Sequence, residues 1–179
     1  AVQYLKGRFE AMGYTVTLQP YTDSQGRSGS NVIAVKEASS ADADILVLSA
    51  HHDSVPTAYG ANDNASGAAA LLYAAEALKD VDTDTELRLI SFTDEDNGKN
   101  GSRAYTAALT EEEKERMIGA IQFDMLGGLG SGGPWCVPWT ERPTGSATCS
   151  RRRIRSWRGT RRPPATTPPC SSPECPPSC

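Results

Sequence analysis

Three apolar segments, each followed directly by acidic residues, constrain the fold of this chain most strongly. The segments begin at Ile45, Thr85 and Ile118, and each has the length and composition of a β-strand. The residues between them predict helices: residues 66–79 are rich in Ala and Leu, and residues 101–109 and 110–117 suggest two further helices, the second with a capping box of Thr110 and Glu113. This alternation predicts parallel strands joined by right-handed crossovers, with the acidic residues together at the carboxyl edge of the sheet.

The elements before residue 45 extend this prediction to an α/β fold with a mixed, largely parallel sheet. Apolar spacing over residues 2–12 predicts a first helix. Residues 14–19 and 31–36 predict two strands joined by a polar turn, which favours antiparallel pairing. Residues 118–123 form the last strand that the pattern predicts.

A His-x-Asp pair, His51 and Asp53, ends the first of the three apolar strands. Imidazole is a common zinc ligand, and a nearby carboxylate can orient the ring by accepting its second N–H. One such pair alone is more often an ordinary histidine beside an acid, and we interpret His52 as a bystander. Asp63 precedes the second helix among small residues, where it could bridge two metal ions; the alternative is that Asp63 or Asn64 simply caps the helix.

Glu95 and Asp96 follow the second apolar strand, and Asp124 follows the third. Adjacent acids in a turn point in different directions, so one could bind a metal while the other accepts a proton from metal-bound water. An ordinary acidic turn is the alternative. Asp124 would need a cation partner if it is buried, and would face water if it is not. Together, one imidazole and several carboxylates favour zinc, with cobalt or manganese as other fitting ions.

The composition changes sharply near Pro134. Residues 1–134 carry 10 basic and 20 acidic side chains, whereas residues 135–179 carry eight arginines, two glutamates and all five cysteines. This second part has too few large apolar residues to form a core. We therefore predict a partial domain at 1–133 and an Arg/Pro/Cys-rich tail at 134–179. A reading-frame break near codon 134 is our preferred explanation, with a disordered basic extension or a disulfide module as alternatives.

Charge and hydropathy narrow the classes of partner. The net charge of −10 over residues 1–134 opposes nucleic-acid binding through the arginines that follow. The sequence contains neither a signal peptide nor a transmembrane run. Because it begins without Met, inside a predicted helix, we expect the protein to continue before residue 1.

Taken in order, the four acidic motifs resemble those of the secreted co-catalytic zinc aminopeptidases. That peptidase family includes bacterial leucyl aminopeptidases and glutamate carboxypeptidase. The motifs are Ala-His-His-Asp-Ser-Val from Ala50, Gly-Ala-Asn-Asp-Asn-Ala-Ser-Gly from Gly60, the acidic pair followed by Gly98 and Gly101, and Phe-Asp-Met-Leu-Gly from Phe123. The resemblance covers about residues 1–133. It implies the three-layer zinc-peptidase (phosphorylase/hydrolase-like) fold, here incomplete.

The resemblance also implies a role for each acidic residue. It implies two zinc ions, with ligands His51 and Asp124 at one ion, Asp96 at the other, and Asp63 bridging both. Glu95 would be the general base and Asp53 would orient His51. The implied activity is hydrolysis of N-terminal residues from peptides by metal-activated water.

The sequence departs from the family in one ligand. The second zinc of the family also binds a histidine later in the chain, and this sequence has only His51 and His52. We therefore expect the 179-residue chain to be inactive, although its parent is an enzyme that acts on peptides and, by family resemblance, is secreted. We expect neither nucleic-acid nor membrane partners. The alternatives are a carboxypeptidase or glutaminyl cyclase on the same scaffold, and a non-catalytic, receptor-like binding module.

Overall fold

The computed structural model of the protein describes residues 1–126 and, for the backbone alone, residues 135–138. The helices are α1 (Val2–Ala11), α2 (Ser66–Leu78), α3 (Asn100–Ala108) and α4 (Glu111–Arg116). The strands are β1 (Thr15–Thr22), β2 (Ser28–Lys36), β3 (Ile45–His51), β4 (Glu86–Phe92), β5 (Met117–Gln122) and β6 (Trp135–Pro138). An irregular turn, Ala61–Ala65, leads into α2. Within the described ranges, every helix is too short or too polar to cross a lipid bilayer.

The strands form one mixed sheet in the order β1-β2-β4-β3-β5-β6. The central strand β3 pairs in parallel with both β4 and β5. The pairs β1–β2 and β2–β4 are antiparallel. The predictions of an antiparallel first pair, of parallel pairing among the later strands, and of a mixed α/β fold are therefore confirmed.

The strand β6 extends the sheet beyond residue 123, where the sequence pattern predicts its end. Gln122 pairs with Trp135 and Gly119 pairs with Pro138, in antiparallel register. Four residues between Gly-rich and Pro-rich stretches are too few to show the alternation that identifies a strand, which explains why the prediction is wrong here. The proposed boundary at 133/134 and the rest of the predicted tail lie outside the described residues.

Two apolar clusters cover the two faces of the sheet, giving three layers. On one face, Phe9 of α1 and Leu71 of α2 pack in a cluster with Leu48 of β3. On the other face, Tyr105 of α3 packs in a cluster with Ile90 of β4. Because β3 is covered on both faces, its residues read as a continuous apolar run rather than an alternating one.

The parallel strands end together at one edge of the sheet. His51 pairs with Phe92 at the last position of β3 and β4, and Ser49 pairs with Gln122 at the end of β5. The loops that leave these strands therefore start side by side. This edge is where the acidic residues of the sequence motifs gather.

Candidate metal centre

His51 is the hub of the site at the carboxyl edge of the sheet. It ends the rigid central strand, and only 1% of its side chain is exposed. Its Nε2 atom lies 3.1 Å from Asp63 Oδ1 and 3.6 Å from Asp124 Oδ1. Its other ring nitrogen, Nδ1, lies 3.4 Å from Asp53 Oδ1. The ring thus faces two acids on one side and a third acid on the other.

Two groups of potential metal ligands share His51. In each group, one ligand atom per residue lies within 4.8 Å of the others. The first group is His51, Asp63 and Asp124, and the second is His51, Glu95 and Asp96. The structure thus brings together His51 and the four acids that the motifs predict, with Asp53 directly behind the ring.

His52 takes no part in either group within the described part of the chain. Its Nδ1 atom lies 2.9 Å from Ser91 Oγ, and burial lowers the pKa of its ring to about 4. A neutral, partly buried imidazole paired with a serine fits the interpretation of His52 as a bystander.

The charges of the metal-free site are strongly coupled. Burial alone would lower the pKa of His51, but Asp53, Asp124 and Glu95 outweigh it and raise that pKa to about 9. Burial would likewise raise the pKa of Asp53, but His51 and backbone N–H groups lower it to about 2. Burial and the nearby carboxylate of Asp63 raise the pKa of Asp96. The site therefore holds more acid than its single imidazole can neutralise, which favours a bound cation.

Four buried polar atoms in the described residues have no hydrogen-bond partner, and all four belong to this site. They are His51 Nδ1, Asp53 Oδ1, Asp96 Oδ2 and Asp124 Oδ1. The first two face each other at an ion-pair distance without the alignment of a hydrogen bond. Buried carboxylate oxygens rarely lack partners, so the unpartnered oxygens of Asp96 and Asp124 fit ligands of a metal ion. Imidazole nitrogen and carboxylate oxygen are a donor set that zinc accepts.

Asn64 ties the turn that carries Asp63 to the segment that carries Asp124. It follows Asp63 through a cis peptide bond, and its side chain is 2% exposed. The Nδ2 group donates to the carbonyl oxygen of Phe123 at 2.9 Å. The Oδ1 atom accepts from the backbone N–H groups of Gly67 at 2.9 Å and Met125 at 3.2 Å. Through these hydrogen bonds, Asn64 fixes the two acids that face His51 Nε2.

The loop that carries Glu95 and Asp96 is tied to the same site. The backbone N–H of Asp96 donates to Asp53 Oδ2 at 3.2 Å. Asp53 therefore contacts His51 through one carboxylate oxygen and this loop through the other. The sequence motifs suggest only the first of these contacts.

Sequence reasoning interprets Asn64 only as an alternative helix cap and does not single out Asn31, a second buried asparagine near the site. A polar residue that begins an apolar strand segment, as Asn31 does before Val32, is the signal that could have identified it.

Comparison with known proteins gives the same picture. The profile of peptidase family M28 matches residues 31–156, which runs past residue 133, where the resemblance seen in the motifs ends. Leupeptin-inactivating enzyme 1 from Streptomyces exfoliatus is 36% identical over 146 residues, covering 80% of this chain and 32% of that protein. This chain therefore spans about a third of the length of that relative.

Two solved structures have folds similar to that of this chain. BSAP, a zinc aminopeptidase from Bacillus subtilis, is 39% identical with a TM-score of 0.56, covering 57% of this chain and 25% of that one. A glutaminyl cyclase from Bacteroides thetaiotaomicron bound to N-acetylhistamine is 24% identical with a TM-score of 0.58, covering 72% and 53%. At that identity, the cyclase shares the fold and supports nothing further. The M28 profile matches most of the length of this chain, and the acids at its strand ends lie around His51. This chain therefore belongs to peptidase family M28.

Proposed function

We propose that the parent of this chain is a zinc-dependent aminopeptidase, and that the chain holds most of its metal site. The observation that carries the proposal is the pair of ligand groups that share His51 at the carboxyl edge of the sheet. In this assignment, the zinc ligands are His51, Asp63, Asp96 and Asp124. Bound zinc would supply an activated water and polarise the peptide carbonyl.

Glu95 is the proposed general base. Its carboxylate belongs to the same group as His51 and Asp96, and Lys99 Nζ lies 3.6 Å from its Oε1 atom. A carboxylate so close to the ligands can take the proton of the attacking water and return it to the leaving amine. Asp53, at Nδ1 of His51, would hold the ring so that Nε2 stays directed at Asp63 and Asp124.

The wider properties of the parent follow from this proposal. We propose two zinc ions in the full-length protein, with the second completed by a histidine that this chain lacks. Peptides are the proposed substrates, in keeping with the names of the aminopeptidase relatives. Secretion is proposed from the family resemblance. Neither nucleic acid nor a membrane is a proposed partner.

The base assignment is tested in a full-length form of the protein. We expect Glu95→Ala to reduce hydrolysis of an aminoacyl anilide by about 10²–10⁴-fold while zinc content stays unchanged, because the base acts on the proton and does not hold the metal. Zinc content is measured by atomic absorption and turnover by release of the aniline.

Glu112→Ala is the matched control, because Glu112 is an exposed acid on α4 away from the site. It should leave both quantities unchanged. Persistent turnover in Glu95→Ala would rule out the base role. Loss of zinc in that variant would instead make Glu95 a ligand.

A further inference from the structure

Asn31 is a fully buried residue near the start of β2, at the edge of the sheet that carries the metal site. It lies in β2, paired across the sheet with Gln19 of β1. The pairing between β2 and β4 begins at Val32 with Ser91, and Asn31 immediately precedes Val32, so it lies beside the end of β4. A polar side chain here is stable only if its hydrogen bonds are satisfied.

The Asn31 side chain bonds both ends of the segment 93–101, which we name the acidic loop. Its Oδ1 atom accepts from the backbone N–H of Thr93 at 3.2 Å. Its Nδ2 group donates to the carbonyl oxygen of Gly101 at 2.8 Å. The remaining N–H of Nδ2 donates to Gln19 Oε1 at 2.9 Å. One amide therefore joins the first and last residues of the loop and satisfies both of its own N–H groups.

The loop closes tightly around this amide. The N–H of Gly101 donates to the carbonyl oxygen of Thr93 at 3.2 Å, so the two ends also contact each other. A Cβ atom on Gly101 would lie 2.3 Å from Thr93 O and 2.5 Å from Asn31 Oδ1. Only glycine permits this approach, because both distances are far below van der Waals contact.

The residues inside the loop need such closure. Asp94 and Lys99 both have left-handed backbone angles, with φ of 57° and 62°. Such a conformation costs on the order of 1–2 kcal/mol for a residue with a side chain, so it persists only where the surroundings enforce it. Glu95 and Asp96 lie between these two residues. Their placement against His51 therefore depends on what holds the ends of the loop.

We propose that Asn31 is a positioning residue. By hydrogen bonding to both ends of the acidic loop, it holds Glu95 and Asp96 in place beside His51. The hydrogen bonds of Asn31 to Thr93 and Gly101 do not depend on any metal. Their consequence for the site rests on the proposed function, in which Asp96 is a zinc ligand and Glu95 the base. Asn64 has the corresponding place at the other half of the site, between the turn of Asp63 and the segment of Asp124.

The contact with Gln19 provides a control, because it is the bond of the Asn31 amide that does not reach the loop. If Asn31 served only to join β1 to β2, Gln19→Leu and Asn31→Ala would have the same effect. If Asn31 acts on the loop, only the second variant should release residues 93–101.

The test is amide hydrogen exchange, measured by mass spectrometry on the 179-residue chain, followed by a zinc titration of a full-length form. For Asn31→Ala we expect exchange in residues 93–101 to rise about 10-fold or more, with exchange in β3 and β5 unchanged. For Asn64→Ala we expect the rise in residues 123–126 instead. Gln19→Leu should change neither segment.

A variant that keeps the shape of Asn31 guards against simple unfolding. Asn31→Asp retains the acceptor for Thr93 but places a carboxylate oxygen against the carbonyl of Gly101. It should therefore raise exchange at residues 98–101 more than at 93–94. Equal rises throughout the chain, or a Gln19→Leu effect that matches Asn31→Ala, would overturn the proposal.

The zinc titration separates this proposal from the proposed function. In a full-length form, we expect the affinity for the zinc ion that Asp96 would hold to fall by about 10–100-fold in Asn31→Ala, as for loss of a residue that orients ligands. Unchanged zinc affinity despite a released loop would overturn the role of Asn31 toward the metal site. If the wild-type full-length form binds no zinc while the exchange pattern holds, the proposed function fails, and the role of Asn31 in holding the two ends of the loop stands.

Discussion

At the scale of single residues, the site depends on how closely α2 approaches the segment that ends β5. A Cβ atom on Gly67 would lie 2.3 Å from the carbonyl oxygen of Phe123 and 2.4 Å from Asn64 Oδ1. Neither atom can move freely, because Asn64 Nδ2 donates to that same carbonyl. We predict that Gly67→Ala lowers the free energy of unfolding by about 1–3 kcal/mol, through overpacking. It should also weaken zinc binding by about 10–100-fold, because Asp63 and Asp124 would move apart.

Gly7 is the control for this substitution. It lies in α1, and a methyl group added there would have no other atom within 4 Å. Gly7→Ala should therefore raise the free energy of unfolding by about 0.5–1 kcal/mol. Urea denaturation and zinc titration measure both variants. Zinc affinity that is unchanged in Gly67→Ala would contradict the link between this close approach and the site.

Asn31 and Asn64 could not be predicted from the sequence to support the site, and the physical reason is the same for both. Asn31 bonds Gly101, 70 positions away, and Asn64 bonds Phe123, 59 positions away. No local pattern records such a pair, since each partner is a backbone group that every residue has. By contrast, His51 and the strand-end acids could be predicted, because each directly follows an apolar run and parallel strands bring their ends together.

At the scale of elements, α4 is joined to the sheet by an ion-pair network on the side of Arg88. Arg88 Nε of β4 lies 2.6 Å from Glu86 Oε1, and Arg88 Nη2 lies 2.7 Å from Glu113 Oε1 of α4. Glu113 also completes the predicted capping box, in which its side chain accepts from the Thr110 N–H and its own N–H donates to Thr110 Oγ1. The cap is confirmed, while the link to Arg88 is tertiary and could not be predicted from the helix alone.

The pKa of Glu113 follows from these contacts. Burial raises it, but the Thr110 N–H and the Arg88 guanidinium outweigh burial and hold the pKa below its usual value. Because the folded pKa lies below the unfolded pKa, this stabilisation is complete above the unfolded value and is lost as pH falls through the folded one. We predict that Glu113→Gln lowers the free energy of unfolding by about 1–2 kcal/mol at pH 7 and by much less at pH 3.

Glu111→Gln on the same helix is the control for pH dependence. Its side chain is 85% exposed and, within the described part of the chain, pairs only with nearby Lys114, so its effect should stay within about 0.5 kcal/mol. Urea midpoints between pH 3 and pH 7 measure both. An equal loss for Glu113→Gln at both pH values would show that packing, rather than charge, carries the interaction.

At the scale of the whole molecule, the match to the family profile extends beyond the change in composition near Pro134. The match to the M28 profile runs to residue 156, and β6 adds backbone pairing at 135–138. Both the profile match and the pairing of β6 continue past residue 134, so a reading-frame break would fall later than the change in composition suggests. The break remains a prediction, tested by translating the coding DNA beyond codon 134 in all three frames. A frame with further α/β periodicity and a histidine in an acidic loop would support it, and an intact frame throughout would contradict it.

Metal content and turnover of the 179-residue chain follow from its ligands. The group of His51, Asp63 and Asp124 offers one zinc ion an imidazole and two carboxylates, whereas Asp96 has no second imidazole to share, since His52 contacts Ser91 instead. We therefore predict a zinc stoichiometry near one per chain.

We also predict turnover of aminoacyl anilides at least ~10³-fold below that of a full-length form, because a missing metal ligand removes both water activation and carbonyl polarisation. Calorimetric titration gives the stoichiometry, and an anilide assay with zinc present gives the rate, with the full-length form as reference. Two zinc ions per chain, or turnover equal to the full-length form, would mean that residues of this chain replace the histidine expected later in the family.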